Sequence, residues 1–273
     1  MGSDVIFGQY IKGDSVIHQL DARMKIIIAI LYIVIIFLAH SVSAFILLIV
    51  ATAVFIIMTK IPLRLLLKAM KPLMIIIIVT AIINMFWFTG KTLLVKFWII
   101  NIYLEGIINS LLIITRIILL IMATSVFLTY TTTPLKLTDA IEYLLGPLKV
   151  LHVPVHEFSM MMTIALRFIP TLIDETHKII NAQTARGANF TSGGLISRAK
   201  SLIPILIPLF ISAFRRADEL ATAMECRCYT GGDGRTKLNV PKTSCADWIF
   251  LLVIIVLGVA VVLLNTFIPI YSM

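Results

Sequence analysis

The longest uncharged run in the chain is the feature that most limits its fold. Between Ile26 and Thr59, a stretch of 34 residues, there is no Lys, Arg, Asp or Glu. A single membrane-spanning helix needs about 20 apolar residues, so this run is long enough for two. Backbone groups in lipid have to satisfy each other, which favours helices. We therefore predict two spanning helices, at 22–39 and 42–59, that turn at His40 and Ser41.

The composition extends this interpretation to the whole chain. Of its 273 residues, 60% are hydrophobic and only 14% are charged, whereas about a quarter of the residues in soluble domains are charged. Three further apolar runs lie at 72–89, 106–130 and 248–268. We predict an all-α integral membrane protein with about five transmembrane helices.

The basic residues predict the orientation in the membrane. Twenty Lys and Arg residues precede the first span, connect spans two and three, or follow span four, whereas two lie on the other side. Basic residues collect in cytoplasmic segments. We therefore expect the N-terminus and the long tract after span four to be cytoplasmic and the C-terminus to be outside. The net charge of +9 is then explained by the membrane, and no nucleic-acid partner is expected.

This orientation divides the chain into three regions. Residues 1–130 hold a polar lead and spans one to four, 131–245 form a cytoplasmic helical domain, and 246–273 hold span five. Within 131–245 the pattern of apolar residues predicts two to three long amphipathic helices.

Helix start and stop signals place these helices. We expect a short helix capped by Thr138 that ends before Gly146 and Pro147. A long helix is expected to start near Pro154, since proline is accepted in the first turn, and to run to Arg186. A third helix is expected to follow Gly194.

Two short segments at the ends of the long helices resemble each other: Ala185-Arg186-Gly187 and Cys226-Arg227-Cys228. A single arginine at a helix end is explained by the unpaired carbonyls and the macrodipole there. Two copies with small neighbours favour docking into two similar partner sites, because small residues allow close backbone approach and arginine makes bidentate contacts.

These motifs resemble those of the transmembrane T component, the scaffold subunit, of energy-coupling factor (ECF) ABC transporters. The first segment matches that family's Ala-Arg-Gly motif fully, and the second retains its arginine. The lead is similar to the family's Ser-x-x-His-x-Leu-Asp-Pro-Arg-x-Lys pattern, with Ala22 where proline is usual. It reads Ser15-Val16-Ile17-His18-Gln19-Leu20-Asp21-Ala22-Arg23-Met24-Lys25.

The resemblance implies a set of partners in a prokaryotic plasma membrane. Two ABC-type ATPases each receive one motif arginine, and they bind the ATP and Mg, so that no cofactor or metal is expected in this chain. A substrate-binding membrane protein, the S component, rests on the apolar faces of the coupling helices and takes up a vitamin or metal ion. The residues implied in that contact are Leu202, Leu206, Phe210, Phe214 and Arg116.

No catalytic motif competes with this interpretation. His152 and His156 have a spacing that suits a metal on a helix, but Pro154 between them favours a bend. Cys226 and Cys228 lack the C-x-x-C spacing of zinc or redox sites. We therefore expect a non-catalytic subunit. The alternative is a stand-alone secondary permease, which requires ionisable groups near the midplane, and only Arg116 qualifies.

Overall fold

The structure is a computed structural model that describes residues 10–11, 13–87, 93–97, 100–151, 153–188, 190, 194–231 and 243–267. The chain groups into two compact units. Unit 1 comprises Met1–Ala140 and Val240–Met273, and unit 2 comprises Ile141–Asn239. The division at residues 130 and 245 that the sequence suggests stays a prediction.

Helices account for most of the described chain. They are α1 (Val16–Gln19), α2 (Ala22–Leu38), α3 (Val42–Thr59), α4 (Leu63–Met70), α5 (Met74–Trp87), α6 (Leu104–Thr124), α7 (Pro134–Leu144), α8 (Val155–Ala185), α9 (Leu195–Glu225) and α10 (Cys245–Phe267). A short antiparallel hairpin of β1 (Leu93–Phe97) and β2 (Ile100–Tyr103), which the sequence did not predict, precedes α6.

Four helical segments of the described chain are long and apolar enough to cross a membrane: Val42–Thr59, Leu63–Phe86, Leu104–Thr129 and Cys245–Phe267. The predicted first span, α2, has 17 residues, about 26 Å at 1.5 Å per residue. That length is at the lower limit of about 17 residues for a spanning helix. The prediction of an all-α membrane protein is confirmed, and α2 is not among the four segments that meet this criterion.

The helix expected at 72–89 begins earlier than predicted. The segment is already helical from Leu63, in α4, and continues through a 3₁₀ turn at Lys71–Leu73 into α5. The charges of Arg64 and Lys68 concealed α4 in the hydropathy pattern. They lie on its exposed face, whereas Leu66 is fully buried on the opposite face.

The short helix in the tract also starts earlier than predicted. It begins at Pro134, and the Thr133 side chain accepts a hydrogen bond from the Lys136 N–H at 3.4 Å. Thr138 is an interior residue whose hydroxyl donates to the Pro134 carbonyl at 3.0 Å. The prediction of Thr138 as the cap was therefore wrong. Proline at the first helical position explains the earlier start, because its fixed φ suits a first turn. The start of α8 directly after Pro154 is as predicted.

The core of unit 1 is centred on four aromatic rings that come from different elements. A π-helical turn, Ser125–Thr129, follows α6. Its Phe127 packs edge to face with Tyr32 of α2 and Phe55 of α3, at 5.4–5.9 Å between the three ring centroids. Phe250 of α10 lies 5.6 Å from Phe55. The Tyr32 hydroxyl is paired with the Thr52 hydroxyl at 2.7 Å. Such edge-to-face pairs add to the free energy of burial.

The turn between α2 and α3 occurs at the predicted position, and distant residues satisfy its backbone groups. Asn265 of α10 donates to the Leu38 carbonyl at 2.7 Å and accepts from the Ser41 N–H at 3.1 Å. Arg116 of α6 donates to the Ala39 carbonyl at 2.7 Å. The last carbonyls of a helix have no partner within it, so these contacts complete the end of the short α2.

The lead is packed by the residues of its recognised motif. Lys25 is 2% exposed, and its Nζ donates to the carbonyls of His18 and Thr131 at 3.2 and 2.9 Å. Asp247 of α10 accepts from the Asp21 N–H at 2.9 Å. The motif therefore fastens the lead to α2, to the turn after α6 and to α10.

His18 is held between two partners that determine its tautomer. Its Nε2 lies 3.0 Å from the Ile11 carbonyl, and its Nδ1 lies 2.6 Å from the Ser15 hydroxyl. A carbonyl only accepts, so the proton is on Nε2 and Nδ1 accepts from Ser15. Burial lowers the pKa of His18 below 6.5; the Ile11 hydrogen bond opposes this shift, and the Lys25 charge adds to it.

The lowered pKa of His18 predicts an acid-dependent loss of stability. As pH falls, His18 becomes protonated near pH 6.5 in the unfolded chain, but only at lower pH in the folded chain. The contribution of neutral His18 to the free energy of unfolding is therefore complete above pH 6.5 and is lost as pH falls through the folded pKa. We expect His18→Gln to reduce the drop in Tm between about pH 7.5 and about pH 5. Thermal unfolding in detergent at the two pH values measures this drop in Tm. His40→Gln, at an exposed site, is the control. Equal drops in wild type and H18Q would contradict the role assigned to His18.

Candidate functional site: the two arginine-bearing helix ends

The C-terminal end of α8 is closed by a Schellman motif, the 6→1 and 5→2 hydrogen-bond pair that ends many helices. The Ala188 N–H donates to the Gln183 carbonyl at 3.0 Å, and the Gly187 N–H donates to the Thr184 carbonyl at 2.9 Å. Gly187 has φ +89, the left-handed conformation that this motif requires. Arg186 immediately precedes it, at the helix cap.

The end of α9 has the same hydrogen bonds in the same register. The Tyr229 N–H donates to the Met224 carbonyl at 3.1 Å, and the Cys228 N–H donates to the Glu225 carbonyl at 2.8 Å. Cys228 has φ 55, so a cysteine here adopts the conformation that glycine adopts after Arg186. Arg227 is therefore structurally equivalent to Arg186, although the sequence around it is different.

All six residues of the two motifs are exposed: Ala185, Arg186, Gly187, Cys226, Arg227 and Cys228. Within the described chain neither guanidinium has a hydrogen-bond or ion-pair partner. The Schellman bonds already occupy the carbonyls at the two ends. The arginines are thus not needed to cap their own helices, and their side chains are available to a partner.

α8 and α9 are joined by a polar clamp, which we define as Glu175, Ser212 and Arg216. The Glu175 Oε1 accepts a hydrogen bond from the Ser212 hydroxyl. Its Oε2 accepts one from the Arg216 guanidinium at 2.5 Å. The two charged side chains are 23% and 32% exposed. A partly buried, charge-assisted pair of this kind is stronger than an ordinary surface ion pair.

The polar clamp divides the two helices into arms of matching length. Arg186 lies eleven residues beyond Glu175, and Arg227 lies eleven residues beyond Arg216. Each arm is therefore about 16 Å long at 1.5 Å per residue. Each helix also has 31 residues. Each of the two equivalent arginines thus lies eleven residues beyond a residue of the polar clamp.

An apolar stripe on α9 is exposed on the side of the clamp nearer the helix start. Its members follow each other at i,i+4 spacing and are 48–64% exposed: Leu202, Leu206, Phe210 and Phe214. The rings of Phe210 and Phe214 lie 4.6 Å apart. Leu206 and Phe210 also line a groove of about 490 Å³ that includes Leu172 of α8. An exposed apolar surface of this kind is typical of an interaction site.

Arg116, the other residue expected at the S-component contact, has partners inside unit 1. Besides its bond to the Ala39 carbonyl, the guanidinium lies 5.4 Å from the centre of the Phe45 ring. These contacts place it at the negative end of the α2 dipole. Nothing in this geometry supports a partner contact for Arg116, which stays a prediction.

The residues weighed for metal binding have another arrangement. His156 Nδ1 and the Ser159 hydroxyl both bind the Glu142 carboxylate, at 3.0 and 2.9 Å. His152 lies outside the described residues. Among the residues that the structure describes, no group of three or more His, Cys, Asp or Glu side chains is placed to hold a metal ion.

Comparison with known proteins agrees with this architecture. Residues 13–238 match the CbiQ family, described as "Cobalt transport protein". The chain is 50% identical over 258 residues to the energy-coupling factor transporter transmembrane protein EcfT of Clostridium kluyveri, with 94% of this chain and 95% of the relative covered. The EcfT proteins of Ruminiclostridium cellulolyticum and Lactococcus lactis are 50% and 45% identical, over 96% and 95% of this chain and 95% and 97% of their own length.

These features define a helical transmembrane subunit of a multisubunit transporter. The chain belongs to the family of energy-coupling factor transporter transmembrane proteins, the T components of ECF transporters. The resemblance inferred from the two arginine motifs and the lead is therefore confirmed.

We predict that the polar clamp stabilises the contact of α8 with α9. Glu175→Gln retains the shape and the Ser212 bond but removes the charge that Arg216 faces. A double-mutant cycle with Arg216→Gln should give a coupling free energy of about 1 kcal/mol. Unfolding in detergent measures it, and Asp174→Asn, at the exposed neighbouring position, is the control. Additive effects of the two clamp substitutions would show that the pair is not coupled.

Replacing glycine at the end of α8 and introducing glycine at the end of α9 should have opposite effects on the stability of the two Schellman motifs. Gly187→Ala places a side chain at φ +89, where a Cβ meets no atom within 4 Å, so only backbone strain of about 1 kcal/mol is added. Cys228→Gly removes such strain. Hydrogen exchange of the Ala188 amide should become about fivefold faster in the first variant, and that of the Tyr229 amide should become slower in the second. Unchanged exchange in both would contradict the equivalence of the ends.

Proposed function

We propose that this chain is the scaffold that couples two ABC-type ATPases to a substrate-binding S component. The observation that carries the proposal is the structural equivalence of Arg186 and Arg227. Two identically built ends, each with an exposed arginine and an arm of about 16 Å from the polar clamp, suit two similar partners. A protein that met a single partner would have no need of the second end.

The chemistry of each end fits insertion into a groove of an ATPase. The guanidinium offers planar, bidentate hydrogen bonds to a carboxylate. The small residues on either side of it, Ala185 and Gly187 at one end and Cys226 and Cys228 at the other, leave room for a close approach of the two backbones. An arginine that is desolvated in such a groove can dominate the binding free energy.

The apolar stripe on α9 supports a separate site for the S component. Leu202, Leu206, Phe210 and Phe214 form a continuous apolar surface beside the groove that Leu172 completes. Covering these side chains gains free energy in proportion to the apolar area removed from water or exchanged for tighter packing. The S component would rest here.

The coupling step follows from the polar clamp. ATP and Mg bound by the partner ATPases would move the two arginine-bearing ends. Because the clamp fixes α8 to α9, a displacement of either arm changes the angle between the helices, and the apolar stripe moves with them. The S component would then release its vitamin or metal ion to the cytoplasm of a prokaryotic cell. In this mechanism the N-terminus and unit 2 are cytoplasmic, and the chain itself catalyses no reaction and binds no cofactor.

A stand-alone secondary permease is the alternative, and the geometry of Arg116 disfavours it. A permease needs an ionisable or broken-helix site that substrate can reach near the midplane. The Arg116 guanidinium is committed to the Ala39 carbonyl and the Phe45 ring. Transport by the purified chain in liposomes without ATPases would support the permease.

Substitution of the arginines tests the docking hypothesis. We expect Arg186→Ala and Arg227→Ala each to weaken ATPase binding about 30-fold or more, and the double variant to abolish it, because a desolvated anchor is lost at each end. Titration of ATPases against the chain in nanodiscs measures the affinity. Coupled transport in liposomes measures the consequence.

Arg167→Ala is the matched control, because Arg167 is exposed on the same helix but far from its end. Arg186→Lys should retain only part of the affinity, since an ammonium cannot form the bidentate contact. Normal ATPase binding and transport by the double variant would end the docking hypothesis.

A further inference from the structure

An open cavity of about 980 Å³ lies in unit 1 between the lead, α4 and α6. Its volume is at the upper end of the range of about 300–1,000 Å³ for ligand sites. Most of its wall is apolar, including Leu65 and Ala69 of α4, Leu73 of the 3₁₀ turn, and Leu120 and Ile121 of α6. A site with this wall suits a ligand that has an extended apolar part.

One wall of the cavity includes residues of an irregular turn that follows α6. At the end of α6 the helix widens into a π-helical turn, in which the Tyr130 N–H donates to the Ser125 carbonyl at 3.0 Å. The buried Tyr130 then donates its hydroxyl to the Leu65 carbonyl at 3.2 Å, and its own carbonyl accepts from the Ile11 N–H at 3.0 Å. The lead, α4 and α6 are thus fastened together around the cavity. π-helical turns in α-helices are frequent at functional sites.

The positive charge at this cavity comes from a stretch of the chain that contains no acidic residue. Lys68 is its charged lining residue within the described chain, and Arg64 and Lys71 lie on the same short segment. No Asp or Glu occurs from Ala22 to Leu104. The segment Leu63–Phe86 is also long and apolar enough to cross a membrane, so the cation lies at the start of that segment, beside an apolar wall.

From these observations we propose that the cavity binds one anionic phospholipid. An acyl chain lies along Leu65, Ala69 and Ile121, and the headgroup phosphate pairs with Lys68. A free phosphate would leave the apolar wall without a partner. A zwitterionic lipid would bring its own cation towards the positive segment. Basic residues at a membrane surface attract anionic lipids in the same way. The lipid would fill the space between α4 and α6 and so fix the position of the largely exposed α4–α5 segment.

Labelling with photoactivatable phosphatidylglycerol tests the proposal. The full chain is placed in nanodiscs of phosphatidylcholine that contain this probe, and the labelled peptides are identified. We expect labels on α4 and α6. Lys68→Gln should lower labelling about fivefold, the effect of one basic residue at a membrane surface. Ala69→Trp should also lower labelling, because its indole obstructs the apolar wall along which the acyl chain lies without changing the charge.

The controls separate the lipid from other occupants. Lys178→Gln makes the same charge change at an exposed position on α8 and should leave labelling unchanged. Excess glycerol phosphate should not compete, and a phosphatidylcholine probe should label α4 and α6 much less. Displacement by glycerol phosphate, equal labelling by both lipids, unchanged labelling of K68Q and A69W, or loss of labelling when the chain is purified with its partner subunits would each overturn the proposal.

Discussion

The ion pair between Glu175 and Arg216 joins the two long helices of unit 2, and the proposed coupling mechanism depends on it. Two amphipathic helices with exposed apolar stripes can slide past each other, since apolar contacts are not directional. A carboxylate that binds a hydroxyl and a guanidinium from the facing helix fixes one register. In the proposed mechanism, a force on either arginine would then change the angle between α8 and α9 rather than shift them along their length.

The two arginine-bearing ends could be recognised in the sequence, but their equivalence could not. Arginine between small residues after a long helical pattern identified both Arg186 and Arg227. The second end lacks glycine, however, and only the hydrogen bonds of Tyr229 and Cys228 reveal the same cap. The equal arms are also hidden, because the clamp pairs residues 41 positions apart, and pairing at that distance leaves no periodic signal.

The membrane helices were predictable wherever hydropathy alone decides the structure. Long apolar runs located α2, α3, α6 and α10 to within a few residues. The errors fall where a polar residue has a specific role. Arg64 and Lys68 concealed α4, Pro134 moved the start of α7, and the recognised motif in the lead gave no hint that Lys25 would be buried. Each of these depends on tertiary contacts or on cap geometry, which a hydropathy window averages away.

The intramembrane arginine illustrates how a short helix and a charge can complete each other. α2 has 17 residues, and its last carbonyls have no partner within the helix. Arg116 and Asn265 supply the donors. A charge inside a span is a functional hypothesis by default, but here it makes a structural contact between α6 and the end of α2, to which Asn265 also connects α10. The surfaces that we propose for binding are instead the arginine-bearing ends, the apolar stripe and the cavity beside α4.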